Sequence, residues 1–348
     1  MKIWPDLMPM NLISIFVLAV SCDNWAVILT GTKGWDEYRH SADAFYQYHL
    51  LIKNGFDKNK IILMNYDDIA LSPKNMYPGQ VFHNLNHSIN IYPGSENIPY
   101  RGKNVTSQNI YNVLLGDTSN GPALLSNESD NVYIFYTGYY SIYCLTLPDD
   151  YLYFIDLEKT IQQMSSNNRF RHLFFFTSVN AFSSGLKPIP NVYVLVTTNG
   201  NPVFPDPSLG NIHLSGESSL TMATFIERHP DGTFKDMLEY FDFYGIKFNE
   251  LGDSSMKSMK ISEFFYGQNL MNHGLYNALK KIFESDEMES MDEYVPSKNM
   301  SCYKSAVSEL RNCKKFLSNE EYKELNQLAF KIKYVKGKKI AEEIAKLC

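Results

Sequence analysis

The sequence predicts an α/β fold with a mainly parallel sheet flanked by helices, followed by an all-helical C-terminal domain. Three observations carry that expectation. Apolar runs bounded by turn residues alternate with helix-period segments, the pattern of crossover connections between parallel strands. Aromatic residues make up 14% of the chain, dominated by 24 Tyr and 22 Phe, which favours strands with thickly packed faces. Over 348 residues a hydrophobic content of 44% supplies enough core for two or three domains.

The elements follow in order. Residues 1–21 read as a signal peptide, with Lys2 ahead of the apolar stretch 10–20 and Ala19 and Ser21 at signal-peptidase spacing. That stretch is too short for a comfortable membrane span, and no other segment reaches about eighteen uninterrupted apolar residues, so the chain is expected to have no span after signal cleavage. Residues 25–30 (WAVILT) form a continuous buried-strand run. Gly31 and Gly34 break it before a helix at about 36–54. A second strand is expected at 60–65, then a long surface excursion over 70–106 that is rich in Pro, Asn, Ser and Tyr, then a short helix near 107–115. Strands at 132–137 (VYIFYT), 173–179 (LFFFTSV) and 192–198 (VYVLVTT) follow, with a helix over 155–164 between the first two. The α/β domain is expected to run from 24 to 267.

Beyond it, residues 284–293 hold six acids and no base, marking 284–298 as an acidic linker or solvated face. Residues 299–348 turn helical, with Tyr303, Ala306, Val307 and Leu310 and then Leu325, Leu328, Ala329 and Ile332 at three-and-four spacing. Eleven Lys or Arg against six Glu lie between Lys304 and Lys346, which reads either as a solvated helix face or as a surface that docks on the acidic remainder. The chain as a whole carries 32 basic and 38 acidic residues, net −6, with no basic field of the kind that nucleic acid requires. Asn-x-Ser/Thr sequons begin at Asn86, Asn104, Asn127 and Asn299, compatible with a lumenal fate. Eight His and five Cys show no paired ligand spacing, so neither a metal nor another cofactor is expected.

Chemistry in an open α/β sheet sits at the carboxyl ends of the strands. There the residues carry a resemblance. The run 24–56, with its string Gly34-Trp35, Tyr38-Arg39-His40 and Ala42-Asp43-Ala44, the segment 61–70, Tyr77-Pro78-Gly79, and Tyr100-Arg101-Gly102 followed by Val105-Thr106 and Asn109 resemble the legumain family of cysteine peptidases. The resemblance extends to the related catalytic subunit of GPI transamidase and covers residues 24 to about 265. It implies a caspase-like fold. Lys74-Asn75 with Tyr77-Pro78, residues 80–82 and Thr137-Gly138 are closer to the transamidase branch. Pro148-Asp149-Asp150, Asn201-Pro202, residues 259–264 and the cysteine-bearing tail are closer to the legumain branch.

The family's chemistry needs a Cys thiolate as nucleophile and a His that exchanges protons with it. Where the family strand ends in Thr-Asp/Gly-His-Gly this chain has Thr137-Gly138-Tyr139-Tyr140, which puts Tyr139 at the catalytic His position. Where the family has Glu-Ala-Cys-Glu-Ser-Gly this chain has residues 180–185, which puts Phe182 at the nucleophile position. A phenol cannot replace an imidazole near neutral pH, and a phenyl ring has no lone pair for attack. The remnant of the family's asparagine pocket is Arg39, His40 and Asn180, the last standing where the family has Glu. Glu37 stands where legumains have the Asn that orients the catalytic His. Ser183 and Ser184, with His172, His213 and His229, are weak substitutes because no spacing joins them into a dyad. Cys144 reads as a buried small hydrophobe.

Legumain-type tails carry four cysteines paired first to third and second to fourth. Cys302, Cys313 and Cys348 match the first, second and fourth, so the resemblance leaves Cys313 and Cys348 as the disulfide candidate and Cys302 odd. The expected function is that of a catalytically inactive legumain-like pseudopeptidase. It would bind or regulate a peptide or protein partner, an active legumain relative among the possibilities, in the secretory pathway, secreted or in the lysosome or vacuole. The alternative is an active asparaginyl endopeptidase or a GPI transamidase-like enzyme, as in the family.

Overall fold

A computed structural model describes residues 23–178 and 188–267, together with Leu325. The first strand, β1 (Asn24–Thr30), leads into α1 (Tyr38–Lys53) through a 3-10 turn at Trp35–Glu37. Next come β2 (Ile61–Asn65), the two-residue β3 (Tyr100–Arg101) and α2 (Ser107–Leu115). β4 (Asn131–Thr137) precedes a short hairpin, β5 (Cys144–Thr146) and β6 (Tyr151–Tyr153), and then α3 (Phe154–Ser166). β7 (His172–Ser178) and β8 (Val192–Thr197) are followed by a second hairpin, β9 (Pro202–Asp206) and β10 (Ile212–Gly216). The described chain closes with α4 (Glu217–Arg228), α5 (Phe234–Phe243), β11 (Phe248–Gly252) and α6 (Ser262–Phe265).

The expected α/β class is the observed one. Seven strands form a single sheet in the order β11-β8-β7-β4-β1-β2-β3. All neighbours in it are parallel except β11, which pairs antiparallel with β8 at one edge. Both faces are covered, which explains why the central strands read as unbroken apolar runs rather than alternating ones. Ala26 and Ile28 of β1 face a cluster built with Ala42, Phe45 and Leu50 of α1, Met222 and Ile226 of α4, and Phe234 and Phe241 of α5. Val27 and Leu29 face the opposite cluster, built with Ile110 and Val113 of α2 and Leu157, Ile161 and Met164 of α3. The aromatic surplus has a structural address, because strand register places Tyr133, Phe174 and Tyr193 side by side on β4, β7 and β8. Their rings stack at centroid separations of 5.8 and 5.9 Å, and Phe135 stacks on Phe176 at 6.0 Å.

The stretch 70–106 is largely exposed or half-buried, as expected of a surface excursion, but it is anchored to the core at intervals and contains the two-residue β3. Val81, Phe82, Ile91, Ile98 and Val105 are all buried. The Tyr38 hydroxyl accepts from the Phe82 backbone N–H at 2.7 Å, and Asn75 donates to the carbonyls of Ile69, Ala70 and Gln80. Outside β3 the segment must satisfy its backbone through turns and side chains, and Asn75 and Tyr38 do so here. The expected signal peptide, acidic linker and helical tail lie outside the described residues, apart from Leu325.

Candidate functional site

Parallel register brings the carboxyl ends of the central strands to one level, with Thr30 paired to Thr137 and Thr137 to Ser178. Just beyond that row two glycines lie back to back. A β-carbon on Gly138 would fall 2.9 Å from the Gly31 Cα, and one on Gly31 would fall 2.2 Å from the Tyr136 hydroxyl and 2.4 Å from the Thr146 carbonyl oxygen. The Gly31 N–H donates to the Thr137 carbonyl at 2.8 Å. Beneath them the fully buried Tyr136 hydroxyl lies 2.7 Å from the carbonyl oxygens of both Tyr139 and Thr146. One phenol thereby ties the turn after β4 to the first hairpin, and burial raises its pKa above the ordinary tyrosine value.

Tyr139 emerges from that turn with its ring about half exposed. Its hydroxyl donates to the Glu37 carboxylate, at 3.0 Å from Oε1 and 2.9 Å from Oε2. Burial, then the hydrogen bond and the charge of Glu37, push the Tyr139 hydroxyl above its ordinary range, against the opposing pull of Arg39. The ring meets the His40 imidazole edge to face at 5.3 Å. His40 is buried, and its Nδ1 lies 2.8 Å from Thr137 Oγ1. Desolvation, then the charge of Arg39, hold its pKa well below the usual histidine value. The 3.5 Å approach of His40 Nε2 to Glu37 Oε2 is therefore not an ion pair, and that nitrogen has no hydrogen-bond partner.

Arg39 is half-buried, and a β-carbon on Gly216 would fall 3.7 Å from its Nη1 and 3.6 Å from Ser178 Oγ. Gly216 has ordinary extended dihedrals, φ −93° and ψ 136°, so close packing rather than backbone conformation calls for glycine there. The carboxylate of Asp43 sits 2.7 Å from that same β-carbon position. Asp43 is the centre of a buried polar cluster. It accepts from the Gly216 N–H at 3.0 Å and the Ser215 hydroxyl at 3.0 Å, with His83 Nε2 3.1 Å away and the Tyr46 ring stacked on His83 at 4.1 Å. Ser215 Oγ also lies 2.7 Å from His83 Nε2. Serine, histidine and aspartate thus come together, but Asp43 and Ser215 share one ring nitrogen and all three are buried. A nucleophile needs an exposed Oγ with the acid on the opposite ring nitrogen, so the cluster is a structural tie between α1 and β10.

A cleft of about 470 Å³ opens between residues 31–33 and residues 146–151, with Glu37 and Tyr139 in its wall. Lys33 and Asp149 form an ion pair across it. Asp150 is committed elsewhere, accepting from the backbone N–H and hydroxyl of Ser107.

Residues 24–206 match the peptidase C13 family. The chain belongs to that family. Among curated relatives, hemoglobinase of Schistosoma mansoni is 36% identical over 182 residues, covering 51% of this chain and 42% of its own. Human legumain is 36% identical over 188 residues with the same coverages, and the GPI-anchor transamidase of Saccharomyces cerevisiae is 33% identical over 171 residues, covering 46% and 40%. The matched part of the chain spans less than half the length of each of these relatives.

Among the sequence-nominated residues, Tyr139, Arg39 and His40 come together at this C13-type strand end. Asn180, Phe182, Ser183 and Ser184 lie outside the described residues, as do Asn299, Cys302, Cys313 and Cys348. Asn86, Asn104 and Asn127 are exposed, and Cys144 is buried with its sulfur 3.1 Å from Ser141 Oγ. His172 stands at the amino end of β7, at the end of the sheet remote from Tyr139, with its Nδ1 3.2 Å from Asn131 Oδ1. Among the described residues no cluster of His, Cys, Asp or Glu could hold a metal ion, and no helix is long and apolar enough to cross a membrane. Sequence reasoning left Glu37 without a role and gave none to Asp43, His83, Ser215 or Lys33. Asp43 was visible inside the string that carried the resemblance, whereas Ser215 is 172 residues away and no local spacing could join them.

Proposed function

We propose that this C13 family member is a catalytically inactive, legumain-like protein that binds peptide or protein partners at the carboxyl ends of its central strands. The observation that carries the reading is the environment of Tyr139. The resemblance puts this residue at the family's catalytic His position, and here its phenol is bonded to Glu37 and shifted upward in pKa. A group in that state cannot take a proton from a thiol between about pH 4 and 7. The aligned nucleophile position carries Phe182, which supplies no thiolate. Around Tyr139 the site keeps polar features suited to holding a peptide: a cleft, a half-buried guanidinium at Arg39 and the carboxylate of Glu37. Entry into the secretory pathway through residues 1–21, glycosylation at the sequons, a Cys313–Cys348 disulfide in a helical tail over 299–348 and a lysosomal or secreted destination complete the proposal.

The test is hydrolysis of an asparaginyl reporter peptide by the purified chain from about pH 4 to 7, with an active legumain as control. No turnover above background is expected. Turnover that survives purification and persists in both Tyr139→Phe and Phe182→Ala would overturn the reading.

A further inference from the structure

The cleft between residues 31–33 and 146–151 holds an electrostatic imbalance. Its wall contains one cation, Lys33, against Glu37, Asp149 and Asp150. Lys33 is taken by Asp149. Asp150 already accepts three hydrogen bonds, from the Ser107 N–H and hydroxyl and from the Tyr151 N–H. Glu37 remains. A carboxylate offers about four lone-pair sites, and the side-chain donor on Glu37 is the single hydroxyl proton of Tyr139, shared between both oxygens. His40 approaches at 3.5 Å but is held neutral by its burial, so among the described residues no Lys or Arg pairs with Glu37. The Glu37 side chain is only 28% exposed, and the Arg39 guanidinium nearby acts on the Tyr139 hydroxyl and forms no ion pair with Glu37 among the described residues.

Two further features point the same way. Tyr139 and Tyr151 present rings that are 47% and 54% exposed along this wall, and aromatic faces attract an ammonium or guanidinium group. Thr32 also lines the cleft, is 6% exposed, and its hydroxyl has no hydrogen-bond partner. A carboxylate, two tyrosine rings and an unused hydroxyl around one space form a receptor for a group that brings several donors and a positive charge.

We propose that this cleft is a subsite for a lysine or arginine side chain of a bound peptide, with Glu37 as its counter-ion. The proposal rests on the peptide-binding reading above and adds to it the chemistry of the peptide. It also gives Glu37 a role toward the ligand and makes Tyr139 a positioning residue that holds the carboxylate at the cleft wall.

The experiment uses the full chain and fluorescein-labelled heptapeptides Gly-Ser-Ala-X-Ala-Ser-Gly with X as Arg, Lys, Gln or Asp, read by fluorescence anisotropy at low salt. The Arg and Lys peptides should bind at least about tenfold tighter than the Gln peptide, the ratio expected for a hydrogen-bonded charge pair. In Glu37→Gln the Arg-to-Gln ratio should collapse to within about threefold, and in Asp149→Asn it should shrink by less, since Lys33 already screens that carboxylate. Tyr139→Phe, which removes the hydroxyl that holds the carboxylate, should reduce the ratio, whereas Lys103→Ala, at an exposed position outside the cleft wall, should preserve it and serves as the folded control. Equal binding of the Arg and Gln peptides by the unmodified chain would overturn the subsite and leave peptide binding standing. So would a ratio that survives Glu37→Gln. If none of the four peptides binds at millimolar concentration, the subsite and the peptide-binding reading both fall.

Discussion

Replacing Gly31 with alanine adds one methyl group where the surrounding atoms leave no room for it. The new carbon would fall 2.2 Å from the Tyr136 hydroxyl oxygen, 2.8 Å from its ring carbon Cζ and 2.4 Å from the Thr146 carbonyl oxygen, all inside van der Waals contact. Two of those atoms belong to a buried ring and one to backbone, so none can swing aside cheaply. Overpacking of this kind costs about 1–3 kcal/mol. If the ring retreats, the hydroxyl also leaves the Tyr139 and Thr146 carbonyls, each 2.7 Å away, which costs about 1–3 kcal/mol more. A total loss of about 2–6 kcal/mol should lower the urea midpoint by roughly 1 M or more. The companion Tyr136→Phe removes the hydroxyl and should cost about 1–2 kcal/mol by itself. In the double variant part of the clash is gone, so its loss should be smaller than the sum of the singles. A Gly31→Ala chain that unfolds within about 0.5 kcal/mol of the original would refute the packing argument, as would strict additivity in the double variant.

Three other outcomes are expected. Asp43→Ala should cost about 3–5 kcal/mol in chemical denaturation, because it strips partners from the Gly216 N–H, the Ser215 hydroxyl and His83 inside the core. His40 is held below the ordinary histidine pKa first by desolvation and then by Arg39, so the unfolded chain binds its proton first as pH falls. Stability should therefore decline below about pH 6.5 at up to ~1.4 kcal/mol per pH unit, and His40→Gln should remove that part of the slope. Finally, Tyr139→His combined with Phe182→Cys should restore slow hydrolysis of an asparaginyl reporter where neither single change does. A folded double variant with no turnover would count against the aligned positions.

The central strands were legible because both faces of the sheet are covered, so that Val27, Ile28 and Leu29 are all buried and no polar alternation breaks the run. The peripheral elements were not. β9 contains two prolines and only one buried residue, and β11 has none, so neither carries a strand signal. α4 opens on Gly216 without a side-chain cap, which hides its start. α5 was the one recoverable omission, because Thr233 and Asp236 form a capping box that the spacing announces. At the site, the family string supplied Arg39 and His40, and the alignment supplied Tyr139. The pairing of Tyr139 with Glu37 spans 102 residues and depends on which way the turn after β4 faces. That direction is set by the Tyr136 hydroxyl and two glycines, a fact of three-dimensional packing with no local pattern in the chain.

The separation between the strand bodies and the strand ends has a consequence for how such a protein can change over evolutionary time. Most of the two core clusters lies below the level of Thr30, Thr137 and Ser178, with Leu145, Leu147 and Leu152 of the first hairpin as extensions beyond it, whereas Arg39, Glu37 and Tyr139 contribute to neither. Scaffold and business end are thus subject to different selection. A lineage can exchange one chemistry for another, or keep only recognition, through substitutions that leave the folding of the domain untouched. What would constrain such drift is the pair Gly31 and Gly138 with the Tyr136 hydroxyl, where the two demands meet in the same atoms.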